Sequence, residues 1–396
     1  MIKAVLSNKG HPEYGVATIP FPIPREEYGH VVEMAEALEI GGASKRDCHV
    51  DEIISGAWPV LKRLENTQVN LDELDYLAKR LDSFDTGEAA QFQAMAEKLD
   101  LHGIADLINL TFCCQQATVI TDFSDLEAIG RAHYLNINSG CAGTEEFNAL
   151  DGYETALLLI GTRAGAVTPY GVVYDNGMKL AQVYDGKHLP CYLYDPEMLV
   201  VGLTSRSEPE NTGNITWIYL PAAKEQIDRA LLRSGITNPS DMRFLFDGSQ
   251  FPEEVNAALD FEKESIHELN ELASAVEKLT QEGRAKLGAA VAMAGPESAA
   301  QIRHLAENLD LFDFAPDTHS PAEYGKYMIQ KSGHFGYDPH LEEFYDYEKY
   351  GVQHMSREYG AFTDRGYIAY QGTLSLDELM MEDPAEQFRQ EMGGMA

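Results

Sequence analysis

With 64 aspartates and glutamates, 12 histidines and 5 cysteines, the chain offers many side chains for acid–base, nucleophilic or metal chemistry. Their spacing selects almost none of it. "HELNE" (267–271) opens like a zinc-protease helix but lacks a second histidine four residues on, so His267 reads as an exposed helix residue. "DLFDFAPD" (310–317) holds Asp310, Asp313 and Asp317 without the glycine or terminal glutamate of a calcium loop. "GGASKR" (41–46) sets a lysine near glycines, but not at the spacing whose amides cradle a phosphate. No G-x-G-x-x-G follows a strand and no G-x-S-x-G elbow occurs. Adjacent Cys113 and Cys114, set between apolar residues, read as packing, with a nucleophile as the alternative. Carboxylate pairs are so frequent that spacing singles out no acid–base couple. We expect no catalytic residue, cofactor or metal.

Charge narrows the field further. Against the acids stand 30 lysines and arginines, a net charge of −34, divided as −16 over residues 1–200 and −18 over 201–396. The negative charge is therefore no appended tail. A small domain stays soluble with a net charge of magnitude about 2–8. Such a surface repels nucleic acid and anionic membranes and attracts basic partners. An apolar content of 44% marks a folded protein, and no apolar run is long enough to span a bilayer. Cysteines without a CxxC pair, and an N-terminus without a signal-peptide core, point to a reduced, cytoplasmic protein. Late in the chain "EFYDYEKYG" (343–351) alternates tyrosine with acid, which opposes stacking on nucleic acid. With Glu342 before it, the stretch Glu343, Phe344, Tyr345, Asp346, Tyr347 and Tyr350 reads as a candidate protein interface, or else as local packing.

The elements that must position these groups come in two sets. "GAVTPYG" (165–171) and "GAFTDRG" (360–366) share one frame 195 positions apart. At the same offset "LDELDYLA" (71–78) falls on "IHELNELA" (266–273), each after a predicted capping box, Asn70/Glu73 and Ser265/Glu268. Boxes are also predicted at "SDLE" (124–127) and "SPAE" (320–323). The N-terminal stretches 4–22 and 200–221 each read strand, turn, strand, and each leads into a helix, "REEYGHVVEMAEAL" and "AKEQIDRALLR". A strand ("DCHVDEII", "DMRFLFD") and helices of 3–4 apolar spacing follow. The order predicts a tandem duplication of an α+β unit, its strands at the two ends: residues 1–195, then 196–375, then a tail 376–396 with a frayed helix. The repeated glycine–threonine frame would close the last small subdomain of each unit.

The second unit, with "WIYLP", "NLDLFDFAPDTHSPAEYGKYMI" and "LEEFYDYEKYGVQHMSREYGAFTDRGYIAY", resembles the ArdA antirestriction proteins of conjugative elements. The resemblance covers about 197–372 well and 2–177 more weakly, because the first unit lacks the aromatic stretch. It implies a non-enzymatic mimic of bent DNA that occupies the DNA-binding groove of type I restriction–modification enzymes, in the cytoplasm of a bacterial host. Their methyltransferase core would be the partner, cleavage the step blocked, and modification a further target. It also implies an elongated row of small α/β and helical subdomains, and protomers that pair, here as a homodimer or as a pseudo-dimer within one chain. At DNA's charge density, 34 charges on one surface would imitate about 58 Å of duplex. Candidate phosphate-mimicking carboxylates are Asp72, Asp75, Asp82, Asp85, Glu97, Asp100, Asp122 and Asp125 in the first unit. In the second they are Glu262, Glu264, Glu268, Glu271, Glu277, Asp310, Asp313 and Asp317. The alternative is an acidic scaffold for another basic DNA-handling protein of a mobile element.

Overall fold

The computed structural model describes residues 1–138, 140–192, 197–207, 214–238, 241–333 and 336–381. The fold is α+β, with many short helices around small antiparallel sheets. Among the described residues no helix is long and apolar enough to cross a membrane. Two compact units emerge: Met1–Tyr194 with Glu208–Trp217 and Ala223–Pro239, and Asp195–Ser207 with Ile218–Ala222 and Ser240–Ala396.

In the first unit, β1 (Ile2–Ser7) and β2 (Val16–Phe21) form a hairpin that leads into α1 (Tyr28–Ala37). With β3 (Cys48–Ile54) and β4 (Gln68–Val69) they build an antiparallel sheet of order β2-β1-β3-β4. Alternation decides its inner face, since Ile2, Ala4, Leu6, Ala17, Ile19 and Phe21 are all buried. Three helices follow, α2 (Leu71–Asp82), α3 (Thr86–Lys98) and α4 (Ile104–Leu110). Asn70 and Glu73 cap α2 reciprocally, as predicted, and Leu71, Leu74, Leu77 and Leu81 bury its apolar stripe. A small subdomain ends the unit: β5 (Thr118–Ile120), α5 (Leu126–Ile137), α6 (Thr144–Ala149), α7 (Gly152–Thr162), β6 (Ala166–Thr168) and β7 (Gly171–Tyr174).

The next elements are β8 (Leu199–Ser205), β9 (Thr216–Leu220), α8 (Lys224–Ser234) and β10 (Met242–Ser249), with sheet order β10-β8-β9. Helix α8 belongs to the first unit. The second unit continues through α9 (Glu253–Ala258), α10 (Ile266–Glu277), α11 (Gln281–Ala294) and α12 (Ala299–Glu307). Its own small subdomain is β11 (Phe312–Pro316), α13 (Pro321–Gln330), α14 (Tyr347–Met355), β12 (Tyr359–Thr363) and β13 (Gly366–Tyr370). The tail opens with α15 (Leu376–Met380), which is not frayed: Ser375 and Glu378 cap it, and Leu376, Leu379 and Met380 are buried. Residues 382–396 lie outside the described residues.

The two small subdomains share their strand pairing and glycine positions at the 195 offset. Their sheets run β5-β7-β6 and β11-β13-β12. Ile120 pairs with Val172 as Ala315 pairs with Tyr367, and Ala166 with Val173 as Ala361 with Ile368. A Cβ on Gly130 would strike the Gly152 carbonyl, and one on Gly325 the Tyr347 carbonyl, so each glycine lets two helix backbones touch. In both glycine–threonine frames the threonine hydroxyl donates to the glycine carbonyl, Thr168 to Gly171 at 2.8 Å and Thr363 to Gly366 at 2.9 Å. The two glycines hold φ of 133° and 134°, where an L side chain is strained.

One predicted cap is corrected. At "SDLE" the N-cap of α5 is Asp125, which accepts from the Ala128 amide at 2.9 Å. Ser124 is diverted, its hydroxyl donating to Asp122 at 2.8 Å. Glu127 accepts from the Tyr153 amide and from Arg131. At "SPAE" Ser320 does cap α13, but Glu323 accepts from the His319 amide, one residue before the N-cap.

Candidate acidic interface

The acids lie overwhelmingly outside. Among the described residues the buried ones are Glu73, Asp75 and Glu264, with Asp72 and Glu358 nearly so. The cations are more often drawn inward. Arg229 and Arg233 are buried, and Arg63, Lys79 and Arg303 keep under a third of their side chains exposed while paired to acids. The field at the surface is therefore carried by carboxylates.

Three predicted phosphate mimics are internal. Asp72 sits between Arg229, whose Nε donates to it at 2.9 Å, and Arg233, and also accepts from Tyr28 Oη at 2.7 Å. Burial pushes its carboxyl up, but Arg233 and Arg229 outweigh that and hold it below its ordinary value. Asp75 accepts from the buried Ile23 amide at 2.7 Å and pairs with Lys79 at 3.0 Å. Glu264 accepts from the Ala299 amide at 3.0 Å, in the first turn of α12, and burial raises its pKa. Their charges answer internal donors and do not face a partner.

The others divide by how firmly they are held. Asp85 and Asp125 are N-caps, each with one oxygen on a backbone amide. Asp122 accepts from the Ser124 amide and hydroxyl, which hold its carboxyl below the usual range. Glu97 and Asp100 share Arg63, at 2.8 and 2.7 Å, so three charged groups leave one net negative charge. Glu268 closes the α10 cap, Glu271 pairs with Arg303 at 3.3 Å, and Glu262 stands 3.9 Å from Arg206. Asp82, Asp310, Asp313 and Asp317 are exposed and Glu277 is half-buried. Capped and bonded carboxylates lose little freedom on binding, as a preformed charge lattice requires.

The aromatic stretch forms one patch. Pro339–Phe344 is a 3-10 turn, and Asp346 caps α14 by accepting from the Lys349 amide at 3.0 Å. The Tyr345 ring lies between those of Tyr337 and Tyr347, at 5.9 and 5.8 Å. Gln330 Nε2 donates to Tyr347 Oη at 2.9 Å, and Lys326 lies 3.6 Å from Glu342. Tyr350 packs its ring on His354. Glu342, Glu343 and Asp346 are exposed, and Phe344 is 81% exposed.

The residues whose types suggest enzyme chemistry are placed otherwise. His267 is exposed on α10. Cys113 and Cys114 are buried, and burial pushes the Cys114 thiol well above its ordinary value, away from the thiolate a nucleophile needs. Sequence reasoning missed Glu358, a nearly buried carboxylate behind the aromatic patch. The signal available was its alignment with Arg163 at the 195 offset, a reversal of charge.

Residues 211–369 match the family model of the antirestriction protein ArdA. No curated protein matches the chain. The match begins before β9 and ends within β13, and so takes in α8, the helical middle, the aromatic patch and the second small subdomain. The resemblance read from the sequence is borne out over that segment: residues 211–369 are ArdA-like and carry the antirestriction family's pattern.

Proposed function

We propose that this protein inhibits type I restriction–modification enzymes by DNA mimicry, its carboxylates taking the place of phosphates in the DNA-binding groove of the methyltransferase core. The family match carries the coarser part, since ArdA implies antirestriction by an inhibitor and not an enzyme. The finer part is supported by the disposition of charge: most acids outside, several arginines with Lys79 and Lys98 paired and drawn inward, and many carboxylates fixed by caps and hydrogen bonds. A partner shaped for duplex DNA offers ordered cations, and a rigid polyanion meets them with little entropy lost. The mimicking set is then the exposed candidates, without Asp72, Asp75 and Glu264. Glu342, Glu343, Phe344 and Asp346 are the proposed contact patch, for the target or for a second copy.

The chain is further proposed to be a fused pair of ArdA-like units, divided near residues 195 and 196, acting in the bacterial cytoplasm. What supports the duplication is the repeated strand pairing, glycine crossings and threonine turns at one constant offset. The test is a titration of the chain into a type I methyltransferase core with labelled duplex as competitor. Mimicry predicts mutually exclusive binding. A ternary complex would contradict it and favour the scaffold reading.

A further inference from the structure

The two small subdomains act as an internal control on each other. At the 195 offset, Tyr324, His354, Glu358 and Tyr367 of the second stand where the first has Ile129, Leu159, Arg163 and Val172. In the first subdomain Leu159 is buried with Ile120 and Tyr174, and Ile129 and Val172 pack against them. Arg163 is exposed and donates to Asn176 at 2.9 Å. The second subdomain puts a carboxylate in this place. Glu358, 9% exposed, accepts on one oxygen from Tyr324 Oη at 2.9 Å and Tyr367 Oη at 3.3 Å, and its other oxygen lies 2.9 Å from His354 Nδ1.

Taking a carboxylate out of water is costly even when it is fully bonded. In the first subdomain the partner positions are apolar and Arg163, in the place of Glu358, is exposed, so the fold closes there without a buried carboxylate. The cluster ties α13 through Tyr324, the end of α14 through His354, and β13 through Tyr367. These helices cross at Gly325 and Gly351, where backbones touch, and Gln330 of α13 donates to Tyr347 at the other end of α14. Directional bonds at both ends can set a register that backbone contact alone does not.

We infer that Glu358 is a positioning residue of the acidic interface. It fixes where α14 lies on α13, and thereby where Asp346 and Glu348 stand before a partner with fixed cations. This rests on the inhibitory reading of the same face. The test, in the full chain, compares wild type with Tyr324→Phe plus Tyr367→Phe, which removes both hydroxyl donors and keeps the rings, and with Glu358→Gln, which keeps an acceptor. For the double variant, whose carboxylate loses both hydroxyl donors, we expect a modestly lowered melting temperature with the chain still folded at the assay temperature, inhibition of a type I enzyme weakened about tenfold, and faster amide exchange in 347–355. Glu358→Gln should retain most of the inhibition. Wild-type inhibition and exchange in the double variant would overturn the inference, as would a loss of inhibition matched by global unfolding. Amide exchange needs no partner. Should wild type inhibit nothing, faster exchange in 347–355 would uphold the positioning while the inhibitory reading fell, and unchanged exchange would sink both.

Discussion

Asp72→Asn keeps the shape of a side chain that two arginines share and removes its charge. Arg229 and Arg233, both buried, would be left facing a neutral amide. Breaking a buried pair of this kind costs about 3–5 kcal/mol, to be read by urea unfolding of the full chain. The pH dependence follows from the same contact. Because the folded carboxyl is held below its ordinary value, Asp72 adds stability above its unfolded pKa of about 3.9. That stability is lost as pH falls through the lower folded value. Asp72→Asn should flatten this part of the acid-unfolding curve. By contrast Asp122→Asn, at a fully exposed carboxylate, should leave the melting temperature unchanged. The sequence does not separate these two aspartates: each lies in a polar-looking stretch, and the arginines that claim Asp72 are 157 and 161 positions away.

Individual elements were more legible, because their signals are local. The Asn70/Glu73 and Ser265/Glu268 boxes start the predicted helices, and the two glycine–threonine frames each turn the chain into the last strand of a small sheet. The "SDLE" cap failed because a stronger acceptor, Asp125, stands one residue on, while Asp122 draws the Ser124 hydroxyl away. The helix crossings were not legible, since a glycine's close approach depends on a partner helix more than 20 residues distant. They yield a sharp expectation. A Cβ on Gly325 would fall on the Tyr347 carbonyl, so Gly325→Ala must force α13 and α14 apart. A loss of about 1–3 kcal/mol is expected, with faster amide exchange confined to this subdomain. Gly130→Ala should do the same to α5 and α7. An alanine tolerated at both positions would contradict the crossing geometry.

For the molecule as a whole, net charge and the ordered motifs carry the resemblance over residues 211–369, while which carboxylates face solvent depends on long-range burial that local spacing does not encode. The proposed mimicry concerns the ensemble of exposed acids, whose binding should weaken with salt as DNA's does. Replacing Asp82, Asp85, Asp122 and Asp125 together by asparagine, which still caps α3 and α5, should lower inhibition and reduce its salt dependence with the melting temperature nearly kept, whereas any one alone should do little. The most direct test measures inhibition of a type I restriction enzyme on its target DNA over a range of DNA concentrations at two ionic strengths. Mimicry predicts inhibition that rising DNA overcomes and that higher salt weakens. Inhibition indifferent to DNA concentration, or none against several such enzymes, would contradict it.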